Sequence, residues 1–320
     1  MATFSFIIPV KPGGFIAALS ALRQLPLEPH PFEVLIAEGC SPSRQRNAAA
    51  NEAQGEIIYF LDDDSRVSPD CLALCAEIME DGNVAVAGGP SLTPADDSLL
   101  QQLIGSALSS LLGAGAVRNR YRACGITRST TEKELILCNL AIRRNVFLDT
   151  RGFDERLYPN EENELLDRIV SSGRKLIHAP HMAIQRSQRR TLRLFVRQMF
   201  SYGRGRAQQT LIAGPGTIIG FAPLLLILYL ALLPLVPFTR LTLAPLFAYL
   251  ALVLGFSAAA VIASGSLSRL LLVPLYPLMH VSNGWGLLCG LSGGKRGRSR
   301  TCDAADVTVR RIKEFGQSTW

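Results

Sequence analysis

An apolar run that ends abruptly against three acids constrains this chain more than any other feature. Ile57-Ile58-Tyr59-Phe60-Leu61 follows Gly55 and runs straight into Asp62-Asp63-Asp64-Ser65. A β-branched and aromatic run without alternation reads as a strand buried on both faces, the central strand of an α/β sheet. In such sheets ligands gather beyond the carboxyl ends of the strands. Three neighbouring carboxylates repel one another, and a cation among them relieves that cost. Hard oxygen donors beside a phosphate suit Mg²⁺ or Mn²⁺. The same residues also suit a solvated strand-to-loop turn in which Asp64-Ser65 caps a helix. Taken alone, the stretch leaves both readings open.

The segments around it predict alternating strands and helices. Phe4–Val10 and Phe32–Ala37 read as strands, residues 15–25 and Ser43–Ala53 as helices, and Val84–Ala87 as a further strand before Gly88-Gly89. That order predicts a largely parallel, doubly wound sheet with right-handed crossovers. Leu99–Leu112 reads as a helix and Arg118–Arg128 as a basic loop. Leu135–Ile142 reads as a strand returning to the sheet, and Asn160-Glu161-Glu162 as the opening of a helix that ends near Gly173.

Charge and hydropathy change character along the chain. Residues 1–185 carry 17 Lys and Arg against 23 Asp and Glu, whereas 186–206 carry seven Arg and no acid. The net charge of +7 is therefore concentrated locally, in that segment and in Lys295, Arg296, Arg298 and Arg300. Basic patches flanking apolar sequence point to anionic lipid headgroups rather than nucleic acid. Residues 217–238 and 241–263 are nearly uninterrupted apolar stretches of bilayer-spanning length, joined by a tight turn. A third stretch, 270–291, is broken by Pro274, Pro277, His280 and Asn283-Gly284. The expected divisions are 1–185 catalytic, 186–213 a basic amphipathic interfacial segment, 214–292 a membrane region and 293–320 a basic tail. The positive-inside rule puts both basic clusters in the cytoplasm, with two full spans and a broken third segment. Seven cysteines without a Cys-x-x-Cys pair predict free thiols in a reducing compartment, and no cleavable signal peptide is expected.

Ile7-Ile8-Pro9-Val10, Arg46-Asn47, Phe60-Leu61-Asp62-Asp63-Asp64, Gly152-Phe153-Asp154-Glu155 and Glu161-Glu162, in that order, resemble the family-2 glycosyltransferases of the GT-A fold over about residues 3–205. The C-terminal part resembles the membrane-bound bacterial exopolysaccharide branch, including succinoglycan glucosyltransferases. That likeness rests on Asn139–Arg144, on Arg197-Gln198 with Tyr202–Arg206, and on His280 with Gly284-x-Gly286. The resemblance implies a GT-A sheet followed by C-terminal transmembrane helices, in the inner membrane with the catalytic domain cytoplasmic. The donor it implies is a nucleotide-sugar, a UDP-sugar first. The acceptor is a hydroxyl of a lipid-linked or polysaccharide molecule.

By the same resemblance Asp64, with Asp62, holds Mg²⁺ or Mn²⁺ against the diphosphate, and Asp62 and Asp63 face the nucleotide. Pro9 and Val10 line the base pocket, and Glu38 contacts uracil or ribose. Arg46 approaches base or phosphate, or is simply a solvated helix arginine. The general base comes from the acid pair, with Glu162 first and Glu161 next. The family usually has Glu-Asp there, so the second Glu is a departure. Two acids near a helix N-terminus also suit plain capping. Gly88-Gly89 permits close backbone approach beneath a sugar, or an ordinary turn. One displacement assisted by one base inverts the anomeric carbon. The alternatives are a polyprenyl-phosphate sugar synthase, whose ionised acceptor has little need of Glu162, and an inert membrane scaffold that binds nucleotide. A processive synthase is disfavoured, because Gln-x-x-Arg-Trp is absent.

Overall fold

The computed structural model describes residues 1–214, 218–293, 307–318 and 320. The cluster Lys295, Arg296, Arg298 and Arg300 lies outside them. In chain order the elements are β1 (Phe4–Val10), α1 (Ala18–Leu22), β2 (Phe32–Glu38), α2 (Pro42–Glu52), β3 (Ile57–Leu61), α3 (Cys71–Ile78), β4 (Val84–Gly88), β5 (Ser91–Leu92), α4 (Leu99–Leu108) and α5 (Leu111–Ala114). They continue with β6 (Arg128–Thr130), β7 (Asn139–Arg143), α6 (Arg144–Asp149), α7 (Glu161–Ser171), β8 (Lys175–His178), β9 (Ile184–Gln185) and α8 (Leu192–Ala213). The last are α9 (Ala222–Leu232), α10 (Arg240–Ser264), α11 (Leu272–Ser292) and β10 (Thr308–Lys313). The chain divides into two compact units: 1–94 with 119–187 and 298–320, and 95–118 with 188–297.

The first unit is an eight-stranded sheet in the order β10-β2-β1-β3-β7-β4-β8-β6. β1 runs parallel to both β2 and β3, and β4 runs parallel to β8; β7, β6 and β10 pair antiparallel with their neighbours. Side chains alternate across each strand. Phe6, Ile8, Tyr59 and Leu61 therefore pack on one face with α1 and α3. Ile7, Ile58 and Phe60 pack on the other with α2, α6 and α7. Both faces are covered, which is why the strands read as unbroken apolar runs. The chain leaves β1 for β2 on one side and returns to β3 on the other, so the switch point lies between β1 and β3. The ends of β1, β2 and β3 at Val10, Glu38 and Leu61 converge at that edge.

The sheet is largely parallel, as the sequence predicts, with β7 antiparallel between β3 and β4. One expectation changes here. The C-terminal stretch read as a basic tail contributes an edge strand. β10 pairs with β2, Arg311 reaches the buried Glu33 carboxylate at 2.7 Å, and the Lys313 ammonium donates to Phe32 O at 2.6 Å.

The second unit is helical. In the 217–238 stretch, 3-10 turns over Ile218–Phe221 and Leu233–Leu235 flank α9, and the apolar helix they leave, Ala222–Leu235, is shorter than a bilayer crossing. The 241–263 stretch is a single helix, α10, and among the described residues it is the one unbroken helix long and apolar enough to cross a membrane. Leu241, Phe247, Leu252, Leu254 and Ile262 are exposed along it.

The 270–291 stretch is not broken: α11 is continuous through Pro277, and Pro274 sits in its first turn, where a missing N–H costs little. α11 lies against α8 and α9 through glycines. A Cβ on Gly286 would stand 2.0 Å from Phe200 O, and one on Gly284 2.2 Å from Pro223 O. Phe195 and Met199 of α8 are buried, so much of the apolar face expected to meet lipid is covered by protein. His280 bonds Tyr249 Oη at 2.9 Å and Leu112 O at 3.0 Å, tying α10 and α5 to α11.

Candidate active site

β3 delivers the acid triplet to the switch point, and a tight turn fixes it. Ser65 N donates to Asp62 O, Asp62 N to Ser65 Oγ, and Ala18 N to Asp63 O. No helix begins at Asp64-Ser65; the next is α3 at Cys71. The capping reading of these residues therefore fails. Burial, with Asp64 and Asp62 beside it, pushes the Asp63 carboxyl above the ordinary range.

Arg46 proves to be a buried structural and electrostatic hub, not a solvated helix residue. Its Nη2 lies 2.9 Å from Asp62 Oδ1 and its Nη1 3.2 Å from Glu161 Oε1. One guanidinium thus joins the end of β3 to the start of α7. Its neighbour explains the Gly152–Glu155 motif. The Asn47 amide donates to Phe153 O and accepts from Phe153 N, both at 2.9 Å. Gly152 has φ +63°, and a Cβ there would stand 2.5 Å from Asn47 Oδ1. Only glycine combines that backbone with that contact. Phe153 packs on Phe60 and Phe147, and Glu155 pairs with Arg44. The motif is the clasp that docks α2 onto the approach to α7.

Asn160, with φ +94°, turns the chain into α7. Asparagine tolerates that left-handed conformation better than most residues. The turn sends the two acids to different partners. Glu161 is buried, and its own burial, with Glu162 beside it, pushes its carboxyl up to about 8 despite the Arg46 contact. Glu162 lies 3.3 Å from Arg120 Nη1 and its side chain is 12% exposed, against 3% for Glu161. Arg120 is itself held by Lys133 O, Glu132 O and Asn163 Oδ1.

Pro9 and Val10 close β1 at the same edge. Val10 O accepts from Gln45 Nε2 at 2.8 Å. Glu38 closes β2, where it accepts from Gly13 N at 3.3 Å and pairs with Arg310 of β10 at 3.1 Å. Gly88-Gly89 is the site of a close backbone approach, but the approaching backbone is the protein's own. A Cβ on Gly88 would stand 2.7 Å from Asn139 O, and one on Gly89 2.3 Å from Met182 O. Arg46 therefore links Asp62 to Glu161, Arg186 links Asp62 to Asp64, and Glu162, next to Glu161 in the chain, is held separately by Arg120, with Pro9, Val10 and Glu38 along the neighbouring strand ends.

Two arginines of this site escape sequence reasoning. Arg120 lies in the stretch read as a loop. Arg186 was counted in the interfacial segment, yet its Nε lies 2.6 Å from Asp64 Oδ1 and its Nη2 3.0 Å from Asp62 Oδ2. Burial opposes its charge, but Asp62, with Asp64, outweighs that and holds it firmly protonated. The only available signal was that Arg186 follows the short apolar run Met182–Ile184, too weak to place it.

The donor set fits a divalent ion. Asp62 and Asp64 offer hard carboxylate oxygens at one point. Among the described residues no group of three or more His, Cys, Asp or Glu encloses an ion by itself. Mg²⁺ is commonly held that way, by one or two carboxylates completed by substrate phosphates and water.

A mixed but mostly parallel sheet with acids at its switch point defines an α/β fold of the GT-A type. Residues 57–279 match the family model of glycosyl transferase family group 2, more than half of the chain, and the chain belongs to that family. A search of curated proteins finds no match. Among solved structures the fold is similar to the mannosyltransferase PcManGT from Pyrobaculum calidifontis in complex with GDP-Man and Mn²⁺. That likeness has a TM-score of 0.51 at 16% identity and covers 90% of this chain and 86% of that one. The chain is also similar to S. aureus TarS 1–349 in complex with UDP, with a TM-score of 0.43 at 14% identity and 98% of each chain covered.

Proposed function

We propose that this protein is a membrane-anchored inverting glycosyltransferase that moves a sugar from a nucleotide-sugar to a hydroxyl of a lipid-linked or polysaccharide acceptor, as in bacterial exopolysaccharide assembly. The observation that carries the reading is the Arg46 bridge, which holds the acid triplet and the acid pair as two halves of one site. The GDP-Man and Mn²⁺ bound by PcManGT agree with a nucleotide-sugar donor and a divalent ion.

Asp64, with Asp62, would hold Mg²⁺ or Mn²⁺, which when bound would supply Lewis-acid stabilisation of the leaving diphosphate. Pro9, Val10 and Glu38 line the nucleotide side, and Asp63 lies beside them at the strand end. Glu162, the more open of the two acids, takes the proton from the acceptor hydroxyl as it attacks the anomeric carbon. Glu161 is then the positioning partner that fixes Arg46. Residues 1–185 supply the catalytic part. The membrane anchor is centred on α10, with its exposed apolar side chains in lipid and the arginines of 189–206 at the cytoplasmic headgroups.

The test is a panel of UDP- and GDP-sugars offered to the detergent-solubilised protein with Mn²⁺ or with EDTA. Metal-dependent transfer or hydrolysis of at least one donor is expected, and none across the panel sinks the reading. Glu162→Gln is expected to lower transfer to a hydroxyl acceptor by about 100-fold or more. Undiminished transfer in that variant would point instead to a lipid-phosphate acceptor, which needs no base.

A further inference from the structure

The residue sitting on the two acids is Arg186, and its backbone leaves it little choice of position. Arg186 N donates to Leu92 O, and on its N-terminal side Gln185 and Arg66 exchange a pair of backbone hydrogen bonds, all at 2.9 Å. Arg66 lies two residues beyond Asp64, so one loop carries both the acids and the anchor of the strand that presents Arg186. The guanidinium is then placed across the triplet with Nε on Asp64 and Nη2 on Asp62. Those carboxylate oxygens are the ones that a cation would need. A guanidinium and a divalent ion on the same oxygens exclude each other both by space and by charge.

Resting on the donor reading above, we propose that Arg186 is a latch on the cation site: it holds Asp62 and Asp64 until a cation and a donor diphosphate arrive together, and its guanidinium then transfers to the diphosphate. The side chain is long enough to swing about its pinned backbone, and it is only 22% exposed, so it requires another anion when the acids are taken from it. Guanidinium and diphosphate match in geometry as well as charge. Without a diphosphate, a bound cation with Arg46 and Arg186 would set four positive charges against the two carboxylates of Asp62 and Asp64. The two negative charges of a donor diphosphate offset that excess. Cation and nucleotide are therefore coupled, each binding poorly alone.

The experiment titrates full-length protein in detergent with Mn²⁺ and reads free Mn²⁺ by electron paramagnetic resonance, alone and with saturating UDP or GDP. In the wild type the nucleotide is expected to tighten Mn²⁺ binding by about tenfold or more. In Arg186→Gln, Mn²⁺ alone binds about tenfold tighter than in the wild type, and the nucleotide adds less than about threefold. Adding Asp64→Asn to Arg186→Gln abolishes the gain, tying it to the triplet.

An Arg186→Gln protein that binds Mn²⁺ no more tightly than wild type overturns the latch, as does an unchanged nucleotide effect. If Arg186→Gln does not fold, Arg186→Lys takes its place. It keeps the charge but cannot span both acids, so Mn²⁺ alone must still bind more tightly, and an unchanged affinity overturns the latch. Failure of UDP and GDP to bind either protein would strike the donor reading instead, because the comparison with Mn²⁺ alone needs no nucleotide.

Discussion

The interiors of the two units are organised by opposite means. The acid-lined edge of the sheet is organised by long side chains: Arg46, Arg120 and Arg186 each reach carboxylates far away in sequence. The α8–α11 contact is organised by missing side chains, with Gly203, Gly286 and Gly290 letting backbone meet backbone. Charge pairing can be rearranged when a ligand supplies a competing charge. Glycine packing has no second arrangement, since any added atom collides. The site proposed to exchange a protein cation for a metal ion and a diphosphate is thus built from the first kind of contact. A helix pair read as part of a membrane anchor is built from the second, where apolar burial gives little drive and close approach must serve instead.

The contrast breaks first at Arg46. Arg46→Leu leaves Glu161 and Asp62 without their shared partner in a buried setting, at a cost of about 3 kcal/mol or more. An unfolding free energy, from chemical denaturation, lowered by less than a third of that would show that the bridge is ornamental to stability.

Next comes the glycine contact. Gly286→Val forces carbon into Phe200 O and is expected to cost about 1–3 kcal/mol through the second unit. Thermal unfolding in detergent reads it, and an unshifted midpoint would mean that α8 and α11 separate freely.

The third effect is a pH slope, small per unit and accumulating across the window. The Glu161 carboxyl rises from 4.5 to about 8 on folding, so between those values the folded state binds more protons than the unfolded one. Stability therefore falls as pH rises through that window, by at most about 1.4 kcal/mol per unit. Glu161→Gln removes the slope. Urea midpoints measured at pH 5 and pH 8 check it, and equal slopes in both proteins would place the proton elsewhere.

Each level of the sequence was informative where its signal was local. The β3 run, its acids, the glycine of the Gly152–Glu155 turn and the acid-opened helix at Glu161 were all legible, because period, turn conformation and helix start depend on a few neighbouring residues. The α10 helix was legible for the same reason. The α9 stretch was less legible, because apolar composition says nothing of the 3-10 turns into which the chain tightens on either side of the α-helix. The α11 stretch misled in the other direction, since its prolines and polar residues looked like breaks. In the fold Pro274 falls in the first turn, and His280 and Asn283 find partners in Leu112 O and Met199 O.

What the sequence determined by itself was therefore the family, the sheet and the two acidic clusters of the candidate site. Only the tertiary structure decided how the halves are joined and what lies on them. Arg46 reaches Glu161 across 115 residues and Arg186 reaches Asp64 across 122, while β10 returns to clasp Glu38 from the far end of the chain. An arginine in sequence carries the same charge whether it faces water, lipid or a carboxylate. Its partner is chosen by where strands and loops bring the backbone, and that choice exists only in the folded chain.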